Sequence, residues 1–139
     1  MAEIVIYTDG GARGNPGPAG AGVVIKENGR TIADFGKYLG DGLTNNWAEY
    51  EALILAIVDA KRLGFTDRHI EIRMDSELIV KQMQGLYKVK DKNLKLQHAK
   101  VRELLLEFEH VHFKHIPREE NSEADALVNE AIDEATQRN

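Results

Sequence analysis

Cysteine is absent from the 139 residues. That excludes a disulfide framework and any thiolate metal site, and it fits a reducing compartment. Long apolar runs are missing too. None approaches the roughly 20 residues that a bilayer-spanning helix needs, so no membrane partner is expected. The opening MAEIVIYTDGG has no basic region ahead of an apolar stretch and carries an acid at Glu3. No export signal is read there, and the expected location is the cytoplasm. An excess of positive charge is lacking as well: 18 Lys/Arg against 23 Asp/Glu give a net charge of −5. A generic nucleic-acid binder is usually basic, so the charge sum argues against that class. What remains is ordinary for a soluble globular chain, with 42% hydrophobic and 29% charged residues. One domain over residues 1–139 is the expectation from this length; a monomer is expected as well, although length does not bear on it.

The distribution of charge says more than its sum. Residues 81–102 hold seven Lys/Arg and a single acid, Asp91, whereas residues 119–134 hold seven acids and no Lys/Arg. Either run alone is best read as a solvated helical face. Together they allow a basic contact strip beside an acidic pocket.

The periodicities predict an α/β chain. Residues 3–8 (EIVIYT) read as a buried strand. The following GGARGNPGPAG is turn chemistry and reads as a loop. Residues 22–26 (GVVIK) and 31–38 (TIADFGKY) read as strands joined across Asn28-Gly29, a strong short hairpin signal. A long helix follows over 46–63, with Leu53, Ile54, Ile57, Val58 and Ala60 at helical spacing and Gly64 at its C-terminal stop. His69–Met74 alternates as a strand. Helices over 76–84 and 91–108, a strand over 111–116 and a last helix over Ser122–Thr136 complete the order β-β-β-α-β-α-α-β-α. Strands joined by helices imply parallel pairing there, hence a mixed sheet with helices on its faces.

Four carboxylates sit in awkward places. Asp9 ends the first predicted strand, and Asp75 ends the alternating one. Glu49, expected in the first turn of the long helix, shares a stripe with Leu53, Ala56 and Ala60. Asp125 lies in the first turn of the last helix. Each has an ordinary structural reading. Asp9 before Gly10-Gly11 suits a turn. Asn46-x-x-Glu49 and Ser122-x-x-Asp125 suit capping boxes, and Asp75 suits a helix cap. For any one of them alone that reading is the better one. The joint pattern shifts the balance, because strand-end acids and helix-start acids can converge beyond the carboxyl ends of parallel strands. Like charges held close together need a cation. Oxygen ligands without cysteine select Mg²⁺, with Mn²⁺ as the alternative. The glycine-rich stretch is neither a Walker loop, which needs Gly-Lys-Ser/Thr, nor a dinucleotide fingerprint, which needs a helix after it.

At this point the residues resemble a family. YTDGGARGNPGPAGAG, TNNWAEYEALILA, MDSELIV and REENSEADALVNEA are similar, in order and spacing, to the four motifs of type 1 ribonuclease H. The resemblance covers essentially the whole chain. It implies the ribonuclease H-like fold, a five-stranded mixed sheet in the order 3-2-1-4-5 with only the second strand antiparallel to the rest. It implies an endonuclease that cuts the RNA strand of RNA–DNA hybrids and leaves 5′-phosphate and 3′-hydroxyl ends. Asp9, Glu49, Asp75 and Asp125 match the family's metal-binding carboxylates. In that scheme Asp9 bridges two Mg²⁺ ions, Asp125 completes the ion nearest the attacking water, and Glu49 and Asp75 hold the ion near the leaving oxygen. Asn15, Asn45 and Asn46 match positions that read the minor groove and the RNA 2′-hydroxyls. Backbone from Gly11 to Gly14 matches the stretch that approaches the RNA strand, and Thr44 matches a phosphate anchor for the DNA strand.

Two departures stand out. Many members carry a long basic, tryptophan-containing protrusion after the third motif. Here QGLYKVKDKN leaves a short loop with Lys88, Lys90 and Lys92, and the sole tryptophan, Trp47, belongs to the long helix. Weaker hybrid binding, or reliance on Tyr87 and these lysines, follows. The family's catalytic-loop histidine is the second departure. His115 has a suitable offset from Asp125 but falls in a predicted strand, and Arg118 is the loop residue beside it. Either is a candidate auxiliary group, and a strand residue with no chemistry is the plainer reading of His115. Competing functions are a non-catalytic duplex-binding module and a related nuclease acting on DNA. A negative pocket facing phosphates gives a pure binder nothing, and the three asparagines favour a ribose-reading site over a DNA-only one.

Overall fold

The computed structural model of the chain describes residues 3–137. Five strands form one sheet in the order β3-β2-β1-β4-β5, with β1 at Ile4–Ala12, β2 at Gly17–Glu27, β3 at Arg30–Leu43, β4 at His69–Met74 and β5 at His110–His115. The β1–β2 and β2–β3 pairs are antiparallel, and β1–β4 and β4–β5 are parallel. Only β2 therefore opposes the rest, as expected. The helices are α1 (Asn45–Arg62), α2 (Glu77–Met83), α3 (Lys92–Leu105) and α4 (Ser122–Thr136), with a 3-10 turn at Arg118–Asn121 ahead of α4. Among the described residues no helix is long and apolar enough to cross a membrane.

The meander works as its turn residues dictate. Asn28 and Gly29 both take positive φ, 50° and 83°, which is the backbone of a type I′ hairpin turn. The main core lies between the sheet and α1. Ile4, Ile6, Ile70, Ile72 and Met74 project from the strands against Leu53, Ala56, Ile57 and Ala60, and all are essentially inaccessible. Fully burying one such aliphatic side chain contributes about 1.5–3 kcal/mol. Val58, read as a core position, is 49% exposed, because it falls on the outer side of the same helix.

The glycine-rich segment is the main correction. Most of it is strand: β1 runs on through Gly10-Gly11-Ala12, β2 begins at Gly17, and only residues 13–16 turn. These glycines serve close approach. A Cβ on Gly10 would land on the Ala48 carbonyl of α1. On Gly22 and Gly36 it would meet the carbonyls of Ala124 and Leu127 in α4. Bare strand lets both helices lie against the sheet. A composition of glycine and proline reads as loop because local propensity knows nothing of the backbone that fills the missing side-chain space. β3 is likewise longer than expected, and it passes irregularities in its pairing with β2 on the way to Leu43.

Candidate active site

Asp9 does not end its strand. It pairs with Gly22 in the β1–β2 ladder, two residues past the last parallel β1–β4 pair at Tyr7 and Arg73. Its turn reading therefore falls. Asp75 follows the last residue of β4. Both acids thus sit beyond the carboxyl ends of neighbouring parallel strands, where side chains can converge.

Glu49 lies in the second turn of α1, not the first, and is 5% exposed. The N-cap is Thr44, whose Oγ1 accepts from the Trp47 amide at 3.2 Å, so no capping box involves Glu49. Its Oε1 instead accepts from the Gly10 amide at 2.5 Å. That bond needs α1 in direct contact with β1, which the missing Cβ of Gly10 permits. The other capping readings fall too. Ser76 caps α2 through the Ile79 amide, and Asn121, the N-cap of α4, makes no side-chain capping bond.

Asp9, Glu49 and Asp75 each offer an oxygen within 4.8 Å of the others. Asp125, in the first turn of α4, lines the same cavity but stands outside that triad. Charge is held there at a cost. Burial first, then the Asp75 charge, pushes the Asp9 carboxyl up to about 7. Burial and the Asp9 charge hold Glu49 well above the carboxylate range, against the pull of the Gly10 amide. Asp75 is raised by burial, while the Arg118 charge and an Asn121 hydrogen bond work the other way. Hard oxygen donors, crowded and short of counter-charge, suit a hard divalent cation.

The remaining predicted residues separate into a rim and a flank. Asn45 knits the rim: its Oδ1 accepts from the Ala12 amide at 2.7 Å, and its own amide donates to Asn15 Oδ1 at 2.9 Å. Gly11, Asn45 and Asn46 line the carboxylate cavity, and Asn15, Thr44, Asn45 and Asn46 line the one beside it. Lys88 and Lys90 line a groove with Asn46, Leu78, Leu86 and Tyr87. Lys92 is exposed at the first position of α3 and does not line that groove. His115 is the exposed last residue of β5 and is not part of the carboxylate cavity, whereas Arg118 lines it. Sequence reasoning missed Asn121, which is 1% exposed and donates from Nδ2 to the Thr8 carbonyl at 2.9 Å. An asparagine before a helix reads as a solvated cap, and nothing local marks it as buried. The side chains of Arg13 and Asn129, which also line the cavity, were missed because both are exposed and only the fold brings the β1–β2 turn against α4.

Comparison with known proteins agrees with this geometry. The family described as reverse transcriptase-like matches residues 7–131. A ribonuclease HI of Halobacterium salinarum is 45% identical over 130 residues, 93% of this chain and 64% of the relative. A bifunctional protein of Mycobacterium tuberculosis is 40% identical over 97% of this chain and 37% of its own length. The chain thus spans under two thirds of these relatives. Among solved structures, LC11-RNase H1, crystallised with an RNA/DNA hybrid, superposes with a TM-score of 0.91 at 56% identity, covering 95% of this chain and 98% of that one. Sheet order, the four motifs and these similarities along nearly the full length agree: the chain belongs to the type 1 ribonuclease H family.

Proposed function

We propose that this chain, as one ribonuclease H domain, is an endonuclease that hydrolyses the RNA strand of RNA–DNA hybrids with divalent metal ions. The observation that carries the reading is the convergence of Asp9, Glu49 and Asp75 within 4.8 Å, with Asp125 on the same cavity wall. A structural role would not bury two acids whose protonation burial and mutual repulsion disturb this strongly. The hybrid held by LC11-RNase H1 supports the substrate class.

The donor set fits Mg²⁺, with Mn²⁺ as an alternative. Asp9, Glu49, Asp75 and Asp125 would hold two ions. Bound there, such ions favour deprotonation of the attacking water and offset charge on the leaving oxygen of an in-line displacement, giving 5′-phosphate and 3′-hydroxyl ends. The protein's own groups do the rest. Asn15, Asn45 and Asn46 present amides at the rim to the RNA 2′-hydroxyls, which a DNA strand lacks. The hydrogen bonds joining Asn15, Asn45 and Ala12 fix that rim before substrate arrives. Thr44, Lys88, Lys90 and Lys92 take backbone phosphates, which position without specifying. Arg118, with its charge beside Asp75, is the better placed auxiliary group, since His115 stands outside the cavity.

One labelled sequence presented as RNA–DNA, RNA–RNA and DNA–DNA duplexes, with Mg²⁺ and with EDTA, tests the reading. Cleavage of the RNA strand of the hybrid with Mg²⁺ alone is the expected result. Equal cleavage of DNA–DNA, or binding without cleavage, would replace it with one of the competing functions.

A further inference from the structure

The Arg13 side chain takes no part in the hydrolysis proposed at the carboxylates, and its placement is specific. It stands in the four-residue turn between β1 and β2. Only two cations line the carboxylate cavity among the described residues, Arg118 and Arg13. Arg118 has its charge beside Asp75. Arg13 instead lies against α4, where that helix runs past the turn. Its Nη1 donates to Asp133 Oδ1 at 2.6 Å, and its Nη2 donates to Asn129 Oδ1 at 3.1 Å and to the Asn129 carbonyl at 3.4 Å. Asn129 in turn donates from Nδ2 to the Asp125 carbonyl at 3.0 Å.

As a stabilising ion pair this arrangement is worth little. Both side chains of the Arg13–Asp133 pair are more than 40% exposed, 43% and 44%, and such pairs contribute at most about 1 kcal/mol. As a preset guanidinium it is better built. The side chain has five N–H donors, and the three hydrogen bonds to α4 leave donors at Nε and Nη1 for a ligand. Asn129 and Asp133 hold the plane in one orientation, which lowers the entropy lost when an oxyanion is gripped. A strand drawn across four carboxylates must keep its neighbouring phosphates close to a negative surface, so a fixed cation beside the cavity meets a definite electrostatic need.

Resting on the hybrid-cleaving reading, we propose that Arg13 binds the phosphate next to the scissile one on the RNA strand, and so sets the register of that strand across the carboxylates. Asn129 and Asp133 are positioning residues that orient the guanidinium. The turn that carries Asn15 thereby grips the RNA by its sugar and by its phosphate.

The test is a cycle of chemical and genetic changes. Hybrids carrying one neutral methylphosphonate at successive RNA positions are assayed with wild type, Arg13→Ala and Arg13→Lys. Binding is measured in Ca²⁺ or EDTA, and cleavage in Mg²⁺. In wild type, neutralising the adjacent phosphate should weaken binding about tenfold, the scale of one charged hydrogen bond. In Arg13→Ala the same neutralisation should cost nothing further, and the salt slope should fall by about one. Arg13→Lys should recover part of the binding but scatter the cleavage position, because an ammonium lacks the fixed fork. As a charge control, Lys37→Ala, on the edge strand β3, should keep the full methylphosphonate penalty. If every methylphosphonate penalty survives in Arg13→Ala, the proposal is overturned. A lowered melting temperature with intact phosphate coupling would make Arg13 a clasp on α4 only, and would equally overturn it. Should wild type fail to cleave hybrid at all, the functional reading fails first, which keeps the two failures distinct.

Discussion

The carboxylate cavity and the lysine groove share Asn46 as a common wall, yet they are built in opposite ways. In the cavity the acids sit on β1, just after β4, on the second turn of α1 and on the first turn of α4, and Asp9 and Glu49 are less than 10% exposed, at 8% and 5%. In the groove Lys88 and Lys90 stand on a loop, exposed, beside Leu86 at 68% exposure and Tyr87 at 44%. Chemistry on a metal needs donors fixed by packing, and it accepts a cost in electrostatic repulsion. Holding a duplex backbone needs reach and charge, and on the proposed function solvated lysines on a short loop would supply both. Substitutions should therefore act on rate in the first region and on salt-dependent affinity in the second.

The largest expected break in that comparison is chemical. Glu49→Gln and Asp75→Asn should each lower hybrid cleavage by several orders of magnitude while binding persists. Their double variant should lose little more, because the groups act as one unit. Additive losses in single-turnover rates would contradict a shared site.

Next comes the packing that holds Glu49 in place. Gly10→Val would drive a side chain into the Ala48 carbonyl, at a cost of about 1–3 kcal/mol in stability. It should also lower activity beyond what the stability loss explains. Denaturant unfolding and cleavage at a temperature where the variant is folded separate the two. Full activity in a destabilised variant would show that the α1–β1 spacing does not set the site.

A smaller effect follows from the raised carboxyls. Asp9 has an ordinary value of 3.8 and titrates near 7 in the folded chain, so folding takes up protons between those values. The contribution of Asp9 to the stability of the metal-free protein should therefore be largest at the acid end of that window and be lost as pH rises through about 7. Asp9→Asn should flatten that trend. Mg²⁺ should displace the protons, so its apparent affinity should climb from about pH 6 to about pH 8. Melting curves in EDTA and with Mg²⁺ across this range check both. An identical pH trend in wild type and Asp9→Asn would disprove the linkage.

The smallest effects belong to the groove. Lys88→Ala, Lys90→Ala and Lys92→Ala should each weaken hybrid binding modestly, with turnover at saturation unchanged. For every phosphate that a variant no longer neutralises, the slope of log affinity against log salt should flatten by about 0.9. Lys92, which lies outside the groove lining, should contribute least.

How much of this was legible in the sequence differs between the same two regions. Alternation in His69–Met74, the Asn28-Gly29 turn and the apolar stripe of α1 marked out the elements, because short-range periodicity reports which face is buried. The position of Asp9 within β1 was not legible, since Gly10-Gly11 reads as a turn until Ala48 is seen to fill the space of the missing Cβ. Glu49 looked like half of a capping box because spacing alone cannot tell Thr44 from Asn46 as the first cap. Asn121 left no signal, as its burial depends on Thr8, 113 positions away in sequence. The lysines were visible as charge, but only the fold shows that Lys88 and Lys90 share a groove with Asn46 and that Lys92 does not.

Asp9→Asn tests the central claim most directly, since the change keeps shape and hydrogen-bonding capacity and removes one charge. Single-turnover cleavage of a labelled hybrid should be measured with Mg²⁺ for wild type and variant, alongside metal-free hybrid binding and a melting curve for each. The account predicts a folded variant, at least as stable as wild type without metal, that binds hybrid and has lost several orders of magnitude in cleavage rate. A folded Asp9→Asn chain that still cleaves at nearly the normal Mg²⁺-dependent rate would contradict it.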